Sequence, residues 1–76
     1  PMKLLISCDY YKVWKIDVEA PLTITQDYPF LIMSVIDGDG LINGQIIKKG
    51  DHFILPSGYG KVDLQGKMTI IASTIA

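Results

Sequence analysis

Cysteine is nearly absent from this 76-residue chain: Cys8 stands alone. A lone thiol cannot close an internal disulfide, so the disulfide-stapled class is excluded and a reducing, cytoplasmic compartment is expected. Histidine is equally scarce, with His52 the sole imidazole. One Cys and one His cannot furnish the four-ligand zinc sites of structural metal domains. Charge of one sign is lacking too: seven basic and eight acidic residues leave a net charge of −1. No field is available to gather a phosphate backbone, so nucleic acid is not an expected partner. The longest apolar stretch, Phe30 to Ile36, is interrupted by Ser34 and falls far short of the ~20 residues of a helical membrane span, so no membrane partner is expected. Finally, no stretch repeats with a period of 3.6, so helices are not expected.

What remains is a chain that is 49% hydrophobic and 20% charged, too apolar for a disordered tail. Its length fits one domain, residues 1–76, whose core is marginal alone because a chain this short buries only about 60% of its unfolded surface. Such a composition suggests a face intended for something else. Pro1 precedes Met2. That order fits a removed initiator, an expression scar or excision from a longer chain. The N-terminal-proline tautomerases share a leading proline, but they need an amphipathic helix between strands, and none is readable.

The dominant period is two. From Lys15 to Glu19 polar and apolar residues alternate strictly, as in a strand with one wet face, and Val13-Trp14 breaks phase as a bulge would. Pro21 ends that run, and Leu22 to Thr25 reads as a short strand before a Gln26-Asp27 turn. Tyr28 to Asp37 reads as a strand buried on both sides, broken by Asp37-Gly38-Asp39-Gly40. Asn43-Gly44 between Leu41-Ile42 and Gln45-Ile46-Ile47 is a hairpin signal, since both central residues of a type I′ turn need φ > 0. His52 to Leu55, Lys61 to Gln65 and Lys67 to Ile75 are further strands, separated by Pro56 to Gly60 and by Gly66. About eight short antiparallel strands at even spacing predict an all-β jelly-roll barrel or sandwich.

Gly50, Pro56 and Gly58 fall in the register of a cupin's second motif, in which a glycine, five residues and Pro-x-Gly precede a metal-binding histidine and an asparagine. With Asp37-Gly38-Asp39-Gly40 and the hairpin between, the chain resembles a cupin. The ligand positions that this resemblance implies are vacant. Lys61 stands at the histidine and Gln65 at the asparagine. Leu31 stands at the glutamate of the first motif, and Ile24-Thr25-Gln26-Asp27 stands where its histidines would be. An ammonium repels a divalent cation and leucine cannot coordinate one.

Phe30 to Gly40 followed by Lys48 to Pro56, with Tyr10 to Ile16 upstream and Met68 to Thr74 at the close, is similar to the C-terminal end of the type I mannose-6-phosphate isomerase family. The likeness spans nearly the whole chain. It implies a division of labour: an N-terminal cupin-like unit holds zinc and the sugar-phosphate site, and the C-terminal unit holds neither. The complete enzyme would interconvert mannose 6-phosphate and fructose 6-phosphate, a base moving a proton between adjacent carbons while zinc orients the oxygens. This chain is then expected to be a metal-free, non-catalytic C-terminal domain, inactive alone, with no catalytic, cofactor-binding or metal-binding residue of its own. Its expected partner is the N-terminal catalytic domain of the same polypeptide, which it covers and rigidifies. Two alternatives stand beside this: a stand-alone small cupin binding a sugar or other small molecule, and a structural dimerisation module pairing through the edge of Lys67 to Ile75.

Individual residues carry weaker signals. His52 could act as an acid or base, but its place in a strand beside Ile54 reads as structural. Asp37 and Asp39 read as turn formers, and Lys48, Lys49 and Lys61 as solvated cations rather than a phosphate grip. Cys8 reads as an inert hydrophobe in an apolar strand. Asp9, Tyr10, Tyr11 and Trp14 could line a carbohydrate platform, but aromatics in a half-buried strand belong to a core.

Overall fold

The computed structural model describes residues 2–75, in which every regular element is a strand. Seven strands follow in order: β1 (Met2–Ser7), β2 (Tyr11–Val18), β3 (Leu22–Gln26), β4 (Phe30–Ile42), β5 (Gln45–Lys48), β6 (His52–Pro56) and β7 (Gly60–Ile75). All pairings are antiparallel. Pro1 lies outside the described residues; the helix that the tautomerase reading requires is not found among the described ones.

Two expected breaks are bends instead. β4 runs through Asp37-Gly38-Asp39-Gly40, and β7 runs through Gly66, which merges two expected strands into one. The register between β4 and β7 shifts between Val35 and Asp37, so the bulged Ile36 turns the strand without ending it. The glycines allow this close crossing. Gly40 lies opposite Gly66, and a Cβ on Gly66 would come within 2.7 Å of the Gly40 Cα. Gly38, at φ 75°, meets the Lys67 carbonyl in the same way.

Because β4 and β7 bend together, each serves two half-sheets. Their outer halves join β1, β2 and β6 into a five-stranded layer ordered β1-β2-β7-β4-β6. Their inner halves join β3 and β5 into a four-stranded layer ordered β3-β7-β4-β5. The hydrogen-bonded sheet does not close on itself; the jelly-roll expectation holds as a sandwich. β7 is central, paired along its length with β2, β3 and β4, so the edge expected at Lys67 to Ile75 does not exist. The longest strand lies in the middle, where both backbone edges are satisfied.

One cluster of fourteen buried side chains fills the space between the layers. Trp14, Ile16 and Val18 enter from β2, Leu31, Met33 and Val35 from β4, and Val62, Leu64 and Ile70 from β7. Each such burial stabilises by about 1.5–3 kcal/mol before chain entropy is subtracted. The phase in β2 is unbroken, because Trp14 continues the buried face of Ile16 and Val18; the extra residue is Leu5 of β1, opposite Val13-Trp14. β4 is buried on one face only, since Ile32, between Leu31 and Met33, and Ile36, after Val35, are exposed.

The turn chemistry follows the sequence. Asn43 (φ 47°) and Gly44 (φ 82°) make the expected hairpin. Asn43 also ties it down, accepting from the Asp63 N–H at 2.7 Å and donating to the Tyr59 hydroxyl at 2.9 Å. The Lys48 to Asp51 turn clasps the bulge of β4: the Gly50 N–H donates to the Val35 carbonyl and the Val35 N–H to the Asp51 carbonyl, at 2.9 and 3.0 Å.

Candidate functional site

The positions of the cupin motif residues, the ligand positions and the asparagine beside them, end up in two different environments. Leu31 is buried among Met33, Leu55 and the rest of the apolar cluster. Lys61 and Gln65 flank Val62 and Leu64 in β7, and strand alternation sends them to the outer surface while Val62 and Leu64 turn inward. In the window Ile24-Thr25-Gln26-Asp27, where the first motif's histidines would be, Gln26 is an inward-facing amide buried to 2% exposure. These residues do not fit a zinc ion. An isobutyl group, an outward ammonium, an outward amide and an inward amide offer no convergent set of anionic or imidazole donors. Among the described residues no three His, Cys, Asp or Glu side chains gather into a metal-binding group.

Gln26 does something else at this mouth of the sandwich. Its Nε2 donates to the carbonyls of Leu55 and Tyr28, each at 3.1 Å, and reaches that of Pro56 at 3.3 Å. Its Oε1 accepts from the Tyr28 N–H at 3.0 Å. The amide thus laces the end of β3 to the end of β6. The sequence signal was its phase: Leu22, Ile24 and Gln26 share the inward face of an alternating strand, which a Gln26-Asp27 turn assignment hid.

The candidate acid–base groups do not assemble. His52 is exposed on β6 with Nδ1 2.8 Å from the Ser34 hydroxyl of β4, on the face it shares with Ile54. It borders a groove of about 350 Å³ that Gln45, Asp51, Ile46, Phe53, Ile54 and Tyr59 also line. Asp37 and Asp39 are strand residues, not turn residues. Asp37 accepts from the Gly38 N–H at 3.0 Å, and Asp39 lies opposite Lys67 and Lys48. Asp37 joins Asp17, Glu19 and Lys67 along a groove of about 550 Å³ at the β4–β7 bend. The lysines stay apart: Lys48 lies 3.9 Å from Asp51, while Lys61 sits opposite Thr25 on β3.

The aromatic platform also separates. Trp14 belongs to the core, with its ring centroid 5.2 Å from that of Tyr28. The Lys12 ammonium stands 5.8 Å from the Tyr28 centroid. Tyr10 and Tyr11 are exposed, contrary to the core assignment, because Tyr10 lies in the β1–β2 turn and Tyr11 on the outer face of β2. Cys8 is exposed in the same turn rather than packed in a strand: β1 ends at Ser7, and the Cys8 N–H donates to the Tyr11 carbonyl at 3.0 Å.

Comparison with known proteins sharpens this picture. Residues 2–75 match the family model described as the mannose-6-phosphate isomerase cupin domain. The chain is 41% identical over 73 residues to mannose-6-phosphate isomerase ManA of Bacillus subtilis, covering 91% of this chain and 23% of that protein. It is 32% identical over 74 residues to mannose-6-phosphate isomerase of Streptococcus mutans, covering 92% and 23%. A crystal structure of the Bacillus subtilis isomerase superposes with a TM-score of 0.91 at 38% identity, over 97% of this chain and 25% of that one. An RmlC-like cupin from Desulfovibrio desulfuricans superposes at 0.76 with 16% identity, over 100% and 80%, a likeness of fold alone. The chain therefore spans about a quarter of the length of the isomerases it matches, in their C-terminal region.

Proposed function

The chain belongs to the mannose-6-phosphate isomerase cupin-domain family, and from that premise we propose that it is the metal-free companion unit of a cytoplasmic mannose-6-phosphate isomerase. In this reading the chain does no chemistry. It packs against an N-terminal catalytic unit that holds the zinc and the sugar phosphate and interconverts mannose 6-phosphate and fructose 6-phosphate. One observation carries the proposal: the cupin motif positions are filled by core leucine, an inward amide committed to backbone carbonyls, and two outward polar side chains. The interior of the sandwich, packed with Ile16, Met33, Leu64 and Ile70 at 0% exposure, supports a scaffold better than a barrel that admits a sugar.

The test is direct. The purified 76-residue chain should carry no stoichiometric zinc by elemental analysis and show no turnover of mannose 6-phosphate in a coupled assay. The full-length polypeptide should show both. Stoichiometric zinc or isomerase activity in the short chain alone overturns the proposal.

A further inference from the structure

The two outer faces of the sandwich differ in kind. On the four-stranded layer the outward residues are mostly polar: Lys61 and Asp63 of β7, Thr23 of β3 hydrogen-bonded to Asp63 at 2.8 Å, and Lys48 of β5 opposite Asp39. Leu41 and Ile46 are the apolar pair there. On the five-stranded layer one cross-strand row runs Ile6–Val13–Ser73–Ile32–Ile54, from the β1 edge to the β6 edge. Four of its five members are β-branched hydrocarbons. Ile6, Ile32 and Ile54 are 46%, 38% and 62% exposed.

The neighbouring row strengthens it. Tyr11 pairs with Ile75, and Phe30 pairs with Pro56. Tyr11, Phe30, Ile32 and Ile75 help to line a shallow groove of about 310 Å³ on this face. On this outer face the next row, Lys3–Lys15–Ile71–Ser34–His52, is mostly polar, and Asp17 lies beyond it, while Lys12 of β2 reaches Tyr28 on the other face. A continuous apolar band across five strands, rimmed by charge on one side, is the composition of an interface rather than of a wet sheet face.

We infer that this band of the five-stranded layer is the surface on which the rest of the isomerase polypeptide packs. The inference rests on the companion-unit reading above. The isomerases it matches are about four times the length of this chain, since the match covers 23% of them. A unit that is a quarter of a polypeptide meets the remainder over some surface. Removing apolar area from water favours the band, and burying the opposite face would desolvate Lys61, Asp63 and Lys48. A second copy of this chain is the competing occupant.

Hydroxyl-radical footprinting separates these outcomes without any substitution. Labelling is compared between the 76-residue chain and the full-length isomerase that carries it. Tyr11, Phe30 and Ile32 should fall several-fold in the full-length protein, while Leu41 stays as reactive as in the short chain. Protection of Leu41 with Tyr11, Phe30 and Ile32 still reactive overturns the face assignment and leaves the companion reading standing. Protection of Tyr11, Phe30 and Ile32 already in the short chain, growing with concentration alongside a dimer in sedimentation, assigns the face to a second copy and overturns the inference. Equal labelling in both proteins, or a native polypeptide no longer than this chain, overturns the companion reading and the inference with it.

Discussion

Gln26 and Leu55 are 29 residues apart in the chain, yet the Gln26 amide donates to the Leu55 carbonyl at 3.1 Å inside the sandwich. The same amide oxygen holds the Tyr28 N–H. Replacing Gln26 by Leu keeps the size but removes the partner of the buried Leu55 carbonyl and of the part-buried Tyr28 N–H. Each buried orphan costs about 1–3 kcal/mol, so Gln26→Leu should lower stability by roughly 2–4 kcal/mol. The shift in urea midpoint measures it. Gln26→Glu retains the acceptor for Tyr28 but loses the donor to Leu55 and places a carboxylate among carbonyls. It should be at least as damaging, and an unchanged midpoint in either variant would remove Gln26 from its clamping role.

The glycines at the bend make a second, differential prediction. Gly50 and Gly66 both have positive φ, at 94° and 104°. Nothing lies within 4 Å of a Cβ on Gly50, whereas a Cβ on Gly66 would meet the Gly40 Cα at 2.7 Å and the Asp39 carbonyl oxygen at 2.8 Å. Gly50→Ala should therefore cost only the backbone strain, about 1–2 kcal/mol. Gly66→Ala adds a clash against rigid backbone and should cost clearly more, melting well below Gly50→Ala in a thermal scan.

Cys8 supplies a third. Its thiol is exposed in the β1–β2 turn, so it should react completely with a thiol reagent in the native chain, without denaturant. Cys8→Ser should leave stability within about 0.5 kcal/mol, as for other surface changes. A thiol that titrates only on unfolding would return Cys8 to the apolar environment that its neighbours Leu5 and Ile6 suggested.

Much of this architecture was legible in the residues because a period of two is read one strand at a time. β2, β3 and β6 follow their alternation, and the Asn43-Gly44 hairpin follows from two residues that tolerate positive φ. The two misplaced strand breaks share one cause. Gly38 and Gly66 look like stops, but in a bent strand a glycine can let two backbones cross, as the opposed Gly40 and Gly66 do. Whether a glycine ends a strand or bends it depends on what lies across from it, and that partner is 26 residues away. The same non-local dependence hid the centrality of β7 and the exposure of Ile32 within the apolar stretch Phe30 to Ile36. For the candidate site, residue type was enough to see that Leu31 offers no donor atom and that Lys61 brings a positive charge. It was not enough to see that Gln26 faces inward or that Tyr11 and Trp14 face apart.

Lys61 offers a last test, in which phase matters more than residue type. The cupin motif places a histidine at this position, and Lys61→His restores it in sequence. In β7, however, Lys61 is exposed and its neighbour Val62 is buried at 0% exposure. An imidazole at 61 would stand in solvent opposite Thr25, with no second ligand converging on it. Lys61→His should bind no zinc in a calorimetric titration and change stability by no more than about 0.5 kcal/mol. Val62→His points the ring inward, where its polar nitrogens meet Leu31, Leu64 and other apolar side chains. It should lose about 2 kcal/mol or more through burial of an unpaired polar group. Stoichiometric zinc binding by Lys61→His would mean that the strand carries the motif position inward, and would overturn the outward placement of residue 61.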